Sequence, residues 1–183
     1  MKGVLISIQP KWCELIASGK KTIEVRKTRP KLETPFKCYI YCTIGNGAKG
    51  DYLIPSGIQC GKVIGEFVCD RIDAYDYDQA FDESMGVYLN SFGYAIMSGD
   101  LEQTCLSYEE FEKYGNTYPL YGWHISNLKI YDKAKELGEF KKAYPIKCGK
   151  GYESIDCTGC GSEFTCSKRF IKRPFQGWGY IEV

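Results

Sequence analysis

Six separated runs in this chain have the β-branched, aromatic and alternating character of strands. They are VLISI (4–8), TIEVR (22–26), KCYIYCT (37–43), KVIGEFVCDRIDAY (62–75), LYGWHISNLKIYD (120–132) and GWGYIEV (177–183). Irregular connections separate most of them, so the βαβ alternation that builds a parallel sheet is missing. Two stretches read as short helices. PKWCELIASG starts on Pro10, suited to a first helical position, and ends at Gly19. LSYEEFEKYG carries Ser107 and Glu110 as a capping box, with Gly115 at its end. NGAKGDYLIPSG (46–57) reads as a glycine-rich loop, and Gly65 as a bulge in a long strand. The pattern predicts a mainly β (α+β) protein, a small mixed β-barrel with short helices at its ends. The 183 residues form one domain in this reading. Residues 141–176 are basic, rich in cysteine and poor in apolar periodicity, and a strand follows them. They are therefore expected to be an insertion before the last strand.

A hydrophobic content of 44% with 15% aromatic residues excludes a disordered chain. No apolar run is long enough to span a bilayer. The start, MKGVLISIQP, has no small-residue cleavage site and reads as a first strand rather than a signal peptide. A cytoplasmic protein with no membrane partner is expected. The net charge of +1 hides opposed blocks. Residues 1–40 carry nine Lys/Arg against three Glu, residues 73–112 carry ten Asp/Glu and no Lys/Arg, and residues 141–183 carry eight basic against four acidic. Basic ends suit a phosphate backbone, whereas an acidic middle suits either packing against them or a protein partner.

The densest polar pattern is GKKTIEVR (19–26). On a strand, residues two apart share a face at a spacing of roughly 6.6 Å. Thr22, Glu24 and Arg26 then share one face, while Ile23 and Val25 point to the core. Lys21 lies just before the strand. The cations can hold an anionic or carbonyl group, and Glu24 can accept from a base edge or orient Arg26. The simpler reading of the same spacing is a solvated strand face with a weak Glu24–Arg26 pair.

The stretch SIQPKWCELIASGKKTIEVRKTRP resembles the start of ASCH-domain proteins, whose hallmark is G-x-K-x-x-E-x-R, here Gly19, Lys21, Glu24 and Arg26. PLYGWHISNLKIYDKAKEL and RPFQGWGYIEV resemble phage- and prophage-type members. The resemblance implies a PUA-like fold, a small barrel with a cleft at the motif, and RNA or a nucleotide-like compound as ligand. It also implies enzymatic alternatives, N4-acylcytidine hydrolysis or RNA cleavage, with Lys21, Glu24 and Glu66 as catalytic groups. The small amidohydrolases look like G-x-K-T-x-T-x-R. Here Lys21 and Thr22 match, but Glu24 stands in place of the second threonine, and a carboxylate cannot repeat a hydroxyl's acyl chemistry. A phage accessory protein whose acidic middle binds a host protein is a third reading.

His124 is the only histidine. It is kept as a cleft candidate because the resemblance includes its segment, although a strand histidine is often structural. Trp12 and Trp123 are candidate base-stacking residues, with core packing as the alternative. Ten cysteines in a cytoplasmic chain do not suggest a disulfide framework. Four of them, Cys148, Cys157, Cys160 and Cys166, fall in one segment with a C-x-x-C knuckle between flexible glycines. Four thiolates in a segment with little core of its own suggest a structural tetrahedral Zn2+ site. Reduced thiols, an iron–sulfur cluster and a redox disulfide are the other uses of the same residues.

Overall fold

The structure is a computed structural model that describes residues 2–45, 52–82, 87–143 and 170–183. In chain order it contains β1 (Lys2–Ile8), α1 (Pro10–Ala17), β2 (Ile23–Arg26), β3 (Phe36–Cys42), β4 (Tyr52–Leu53), β5 (Gln59–Cys60) and β6 (Val63–Tyr75). Then follow β7 (Tyr77–Asp82), β8 (Val87–Tyr94), α2 (Ser98–Thr104), α3 (Tyr108–Gly115), β9 (Leu120–Lys135), a 3-10 turn at Leu137–Glu139 and β10 (Trp178–Glu182). The protein is mainly β. No helix among the described residues is long and apolar enough to cross a membrane.

The hydrogen-bonded strand order is β10-β1-β3-β6-β9-β2. It has two ends, so among the described residues the expected barrel does not close. Just before β2 the Thr22 N–H donates to the Gln103 carbonyl of α2 at 3.0 Å. The sheet is mixed, as expected. β1 runs antiparallel to β10, with Val4 opposite Tyr180, and parallel to β3, with Val4 opposite Cys38.

The chain divides into two compact units. The first comprises residues 1–14, 37–67 and 128–183. Its core holds Leu5, Tyr39, Val63, Phe140, Ile171 and Ile181. The continuous apolar run of β1 is explained by its place between two neighbours, with six consecutive residues buried. Gly65 lies in this unit and serves a close approach between strands. A Cβ there would stand 2.5 Å from the Lys129 carbonyl oxygen of β9. Gly65→Ala is therefore expected to cost about 1–3 kcal/mol, the usual penalty of overpacking against backbone. A urea midpoint equal to that of the wild type would refute this role.

The second unit comprises residues 15–36 and 68–127. Its core gathers Val25, Tyr75, Tyr94, Phe111 and Leu120. The α3 cap forms as its sequence predicts. The Glu110 N–H donates to Ser107 Oγ, and the Ser107 N–H donates to the Glu110 carboxylate. The acidic stretch holds more structure than its composition suggests, namely the β7–β8 hairpin and α2. Tyr77 and Tyr94 face each other across that hairpin with ring centroids 5.1 Å apart.

Candidate functional site

The motif residues assemble in the second unit. Gly19, at φ +73°, turns the chain out of α1, and its N–H donates to the Ile16 carbonyl. Lys21 follows and is buried, with its ammonium donating to the Thr104 carbonyl at 2.6 Å. The same Nζ lies 3.5 Å from Glu24 Oε2. The other carboxylate oxygen, Oε1, takes Arg26 Nη2 at 2.9 Å. Glu24 is thus buried between two cations. This differs from a solvated strand face, because Lys21 and Glu24 are both buried and α2 supplies the carbonyl that Lys21 meets. Burial pushes the Lys21 ammonium below its ordinary value, and the Glu24 carboxylate offsets part of that push. The outcome is a lysine that yields its proton more readily than a surface lysine.

Strand register decides what shares a face with this cluster. β2 pairs antiparallel with β9, with Ile23 opposite His124, Glu24 opposite Trp123, Val25 opposite Gly122 and Arg26 opposite Tyr121. Directly opposed residues share a face. Trp123 and Tyr121 therefore lie on the Glu24–Arg26 side, and His124 lies on the other. Trp123 is fully buried and packs edge-on against Phe36 at 6.0 Å. His124 Nε2 contacts Asp73 Oδ2 at 2.7 Å and Arg71 Nη2 at 3.0 Å. His124, expected in the cleft, thus meets Arg71 and Asp73 on the face of the sheet opposite Glu24. Trp123, expected as a stacking residue, sits in a core position.

Beyond Arg26 the chain runs as KTRPKLETP and lines an open cleft of about 770 Å³. Arg29, Lys31, Glu33 and Thr34 supply its polar wall, and Ile72 of β6 closes it. Arg29 stacks over Tyr121, the cross-strand partner of Arg26, at 5.7 Å. Lys27 stacks over Tyr114 at 5.2 Å. Burial raises the Tyr114 phenol, and the charge of Arg26 offsets part of that rise. Two cations of this arm, Lys27 and Arg29, thus each meet a tyrosine ring from another element, a pairing that suits a phosphate-bearing, base-bearing ligand.

The ASCH domain profile matches residues 6–150, most of the chain. The chain belongs to the ASCH domain family. This ASCH domain is similar to a solved structure, the ASCH protein of Zymomonas mobilis. The TM-score is 0.49 at 19% identity, covering 74% of this chain and 73% of that one. Two single-substitution variants of the same protein also match. One has a TM-score of 0.48 at 19% identity over 75% of this chain and 77% of that one, and the other 0.48 at 18% over 74% of each. No curated protein matches this chain.

Of the residues expected in the site of this ASCH domain, Lys21, Glu24 and Arg26 come together directly. Glu66 belongs to the first unit, where Lys37 lies 2.9 Å from one oxygen and the Tyr131 hydroxyl donates to the other at 2.5 Å. Burial raises its carboxyl, but these two partners hold it below the ordinary carboxylate value on balance. Trp12 is also in the first unit, with the Lys11 ammonium 4.3 Å from its ring centroid. Cys148, Cys157, Cys160 and Cys166 lie outside the described residues. Among the described residues, no group of three or more His, Cys, Asp or Glu is arranged to hold a metal ion. Sequence reasoning missed Thr104 and the Arg29–Thr34 wall. The excess of basic residues in the first forty was the available signal for the wall. Nothing local marks the Thr104 carbonyl, which is brought in from residues far along the chain.

Proposed function

We propose that this ASCH domain binds RNA or a nucleotide-like ligand in the cleft lined by residues 29–34. The observation that supports it is that the segment following the buried Lys21–Glu24–Arg26 cluster lines, from Arg29 to Thr34, an open cleft with Arg29 and Lys31 in its wall. Two cations around one carboxylate leave a net positive charge, and burial strengthens its attraction for an anion. In this reading Arg29 and Lys31 take phosphate oxygens, Thr34 donates from its hydroxyl, and Ile72 offers an apolar floor to a base. Fluorescence anisotropy with a labelled short RNA at several salt concentrations tests it. Binding should weaken with salt at a slope of about −0.7 per neutralised phosphate. The double variant Arg29→Ala, Lys31→Ala should flatten that slope by about 1.4 and lower affinity about tenfold or more at low salt. Equal affinity of variant and wild type for RNA and for mononucleotides would overturn the cleft.

A second reading rests on the lowered Lys21 pKa. In this reading Lys21, paired with Glu24 at 3.5 Å, exchanges a proton as a general acid–base on a nucleoside amide or an RNA phosphodiester. Mass analysis of acylated nucleosides and RNA after incubation would show products. Their loss in Lys21→Met, with ligand binding retained, would favour this reading over binding alone.

A further inference from the structure

The first unit holds a cluster of sulfurs that the ligand site does not use. Cys13, Cys42 and Cys60 are all fully buried. Cys42 Sγ lies 3.5 Å from Cys60 Sγ. The Cys13 thiol donates to the Ile8 carbonyl at 3.6 Å, and the Cys42 thiol donates to the Cys60 sulfur. The backbone fixes this arrangement. The Cys42 N–H donates to the Lys62 carbonyl at 2.9 Å, and the Gly61 N–H donates to the Cys42 carbonyl at 2.8 Å. The ends of β3 and β5 are therefore laced together where the sulfurs meet.

Burial normally raises a thiol's pKa, as it does at Cys69, which is pushed up to about 12. At Cys42 the neighbouring sulfurs of Cys13 and Cys60 together outweigh burial and lower the thiol below its ordinary value. The sulfur that touches a second sulfur is thus also the one readier to become a nucleophile.

We propose that Cys42 and Cys60 form a peroxide-responsive dithiol that closes reversibly into a disulfide. The Cys42 thiolate attacks one oxygen of hydrogen peroxide. The O–O bond breaks, a sulfenic acid forms on Cys42, and hydroxide leaves to be protonated to water. The Cys60 sulfur then attacks the Cys42 sulfur, the S–S bond forms, and the sulfenic hydroxyl leaves as a second water. Two thiols and one peroxide give one disulfide and two waters, and a dithiol reductant reverses the change. In this proposal peroxide enters by local opening of β5, the two-residue element that carries Cys60. A transient bond of this kind is compatible with a reducing compartment in a way that a permanent framework is not.

The test is peptide mapping of the reduced full-length protein after exposure to hydrogen peroxide, denaturation, alkylation and trypsin. Cleavage at Lys49 separates Cys42 from Cys60. The expected product is peptide 38–49 joined to peptide 50–62, with fragment ions assigning the bond to Cys42 and not to Cys38. Dithiothreitol should dissolve it. The oxidised protein should melt about 6–12 °C higher than the reduced one, because the bond closes a loop of some seventeen residues. In Cys60→Ser both the joined peptide and the difference between oxidised and reduced melting should disappear, whatever that variant's own stability. The proposal is overturned if both thiols are alkylated after treatment, if Cys42 proceeds to a sulfinic acid while Cys60 stays a thiol, or if the bond maps to Cys38.

Discussion

Glu24→Gln is expected to lower the unfolding free energy by about 3–5 kcal/mol, the range for removing one partner from a buried charge cluster. The wild-type carboxylate is buried and takes Arg26 at 2.9 Å on one oxygen and Lys21 at 3.5 Å on the other. Glutamine keeps the shape and loses the charge that offsets two desolvated cations. The double variant Lys21→Met, Glu24→Gln should recover much of the loss, since an apolar side chain replaces the buried ammonium. Urea denaturation of the four proteins completes the cycle. A single-variant loss below about 1 kcal/mol would mean that the carboxylate does not offset these charges.

The same cluster gives a sign to the pH dependence. Burial lowers the folded-state pKa of Lys21, so between that value and the unfolded value of 10.5 the unfolded chain binds more protons. This group's contribution therefore favours folding increasingly as pH rises through that window. Subtracting the Lys21→Met curve from the wild-type curve isolates it from other titrating groups. A difference that falls with pH over that window would contradict the burial of the ammonium.

Trp123→Ala is expected to cost about 3–5 kcal/mol, the range for removing a buried aromatic ring. Trp123 is fully buried, stacks edge-on with Phe36 and stands opposite Glu24 in the ladder. A cavity there would also loosen the strand that positions Glu24 and Arg26. Chemical denaturation reads the cost directly. Were Trp123 a base-stacking surface, the variant would keep its urea midpoint and lose RNA affinity instead.

Two features of this protein were legible because their causes are local. The α3 cap needs only Ser107 and Glu110 three residues apart, and the Lys21–Glu24–Arg26 spacing needs only a short strand after a glycine-ended helix. The longest strands, β6 and β9, were also visible, although β9 runs three residues further than its pattern indicates. The acidic stretch was harder, because its hairpin is closed by aromatic pairs such as Tyr77 and Tyr94, which meet from seventeen residues apart. Such a pair leaves no periodic trace.

The sequence by itself determined the family, the mainly β character and the identity of the charged motif, since each rests on residue type and near spacing. Only the tertiary structure decided what those residues face. The register of β2 on β9 puts Trp123 beside Glu24 and His124 on the opposite face, and a slip of one residue would exchange them. The carbonyl of Thr104, carried in by α2, turns Lys21 from a surface cation into a buried one. Burial and cross-strand register come from pairings between distant parts of the chain, and no local pattern of side chains specifies them.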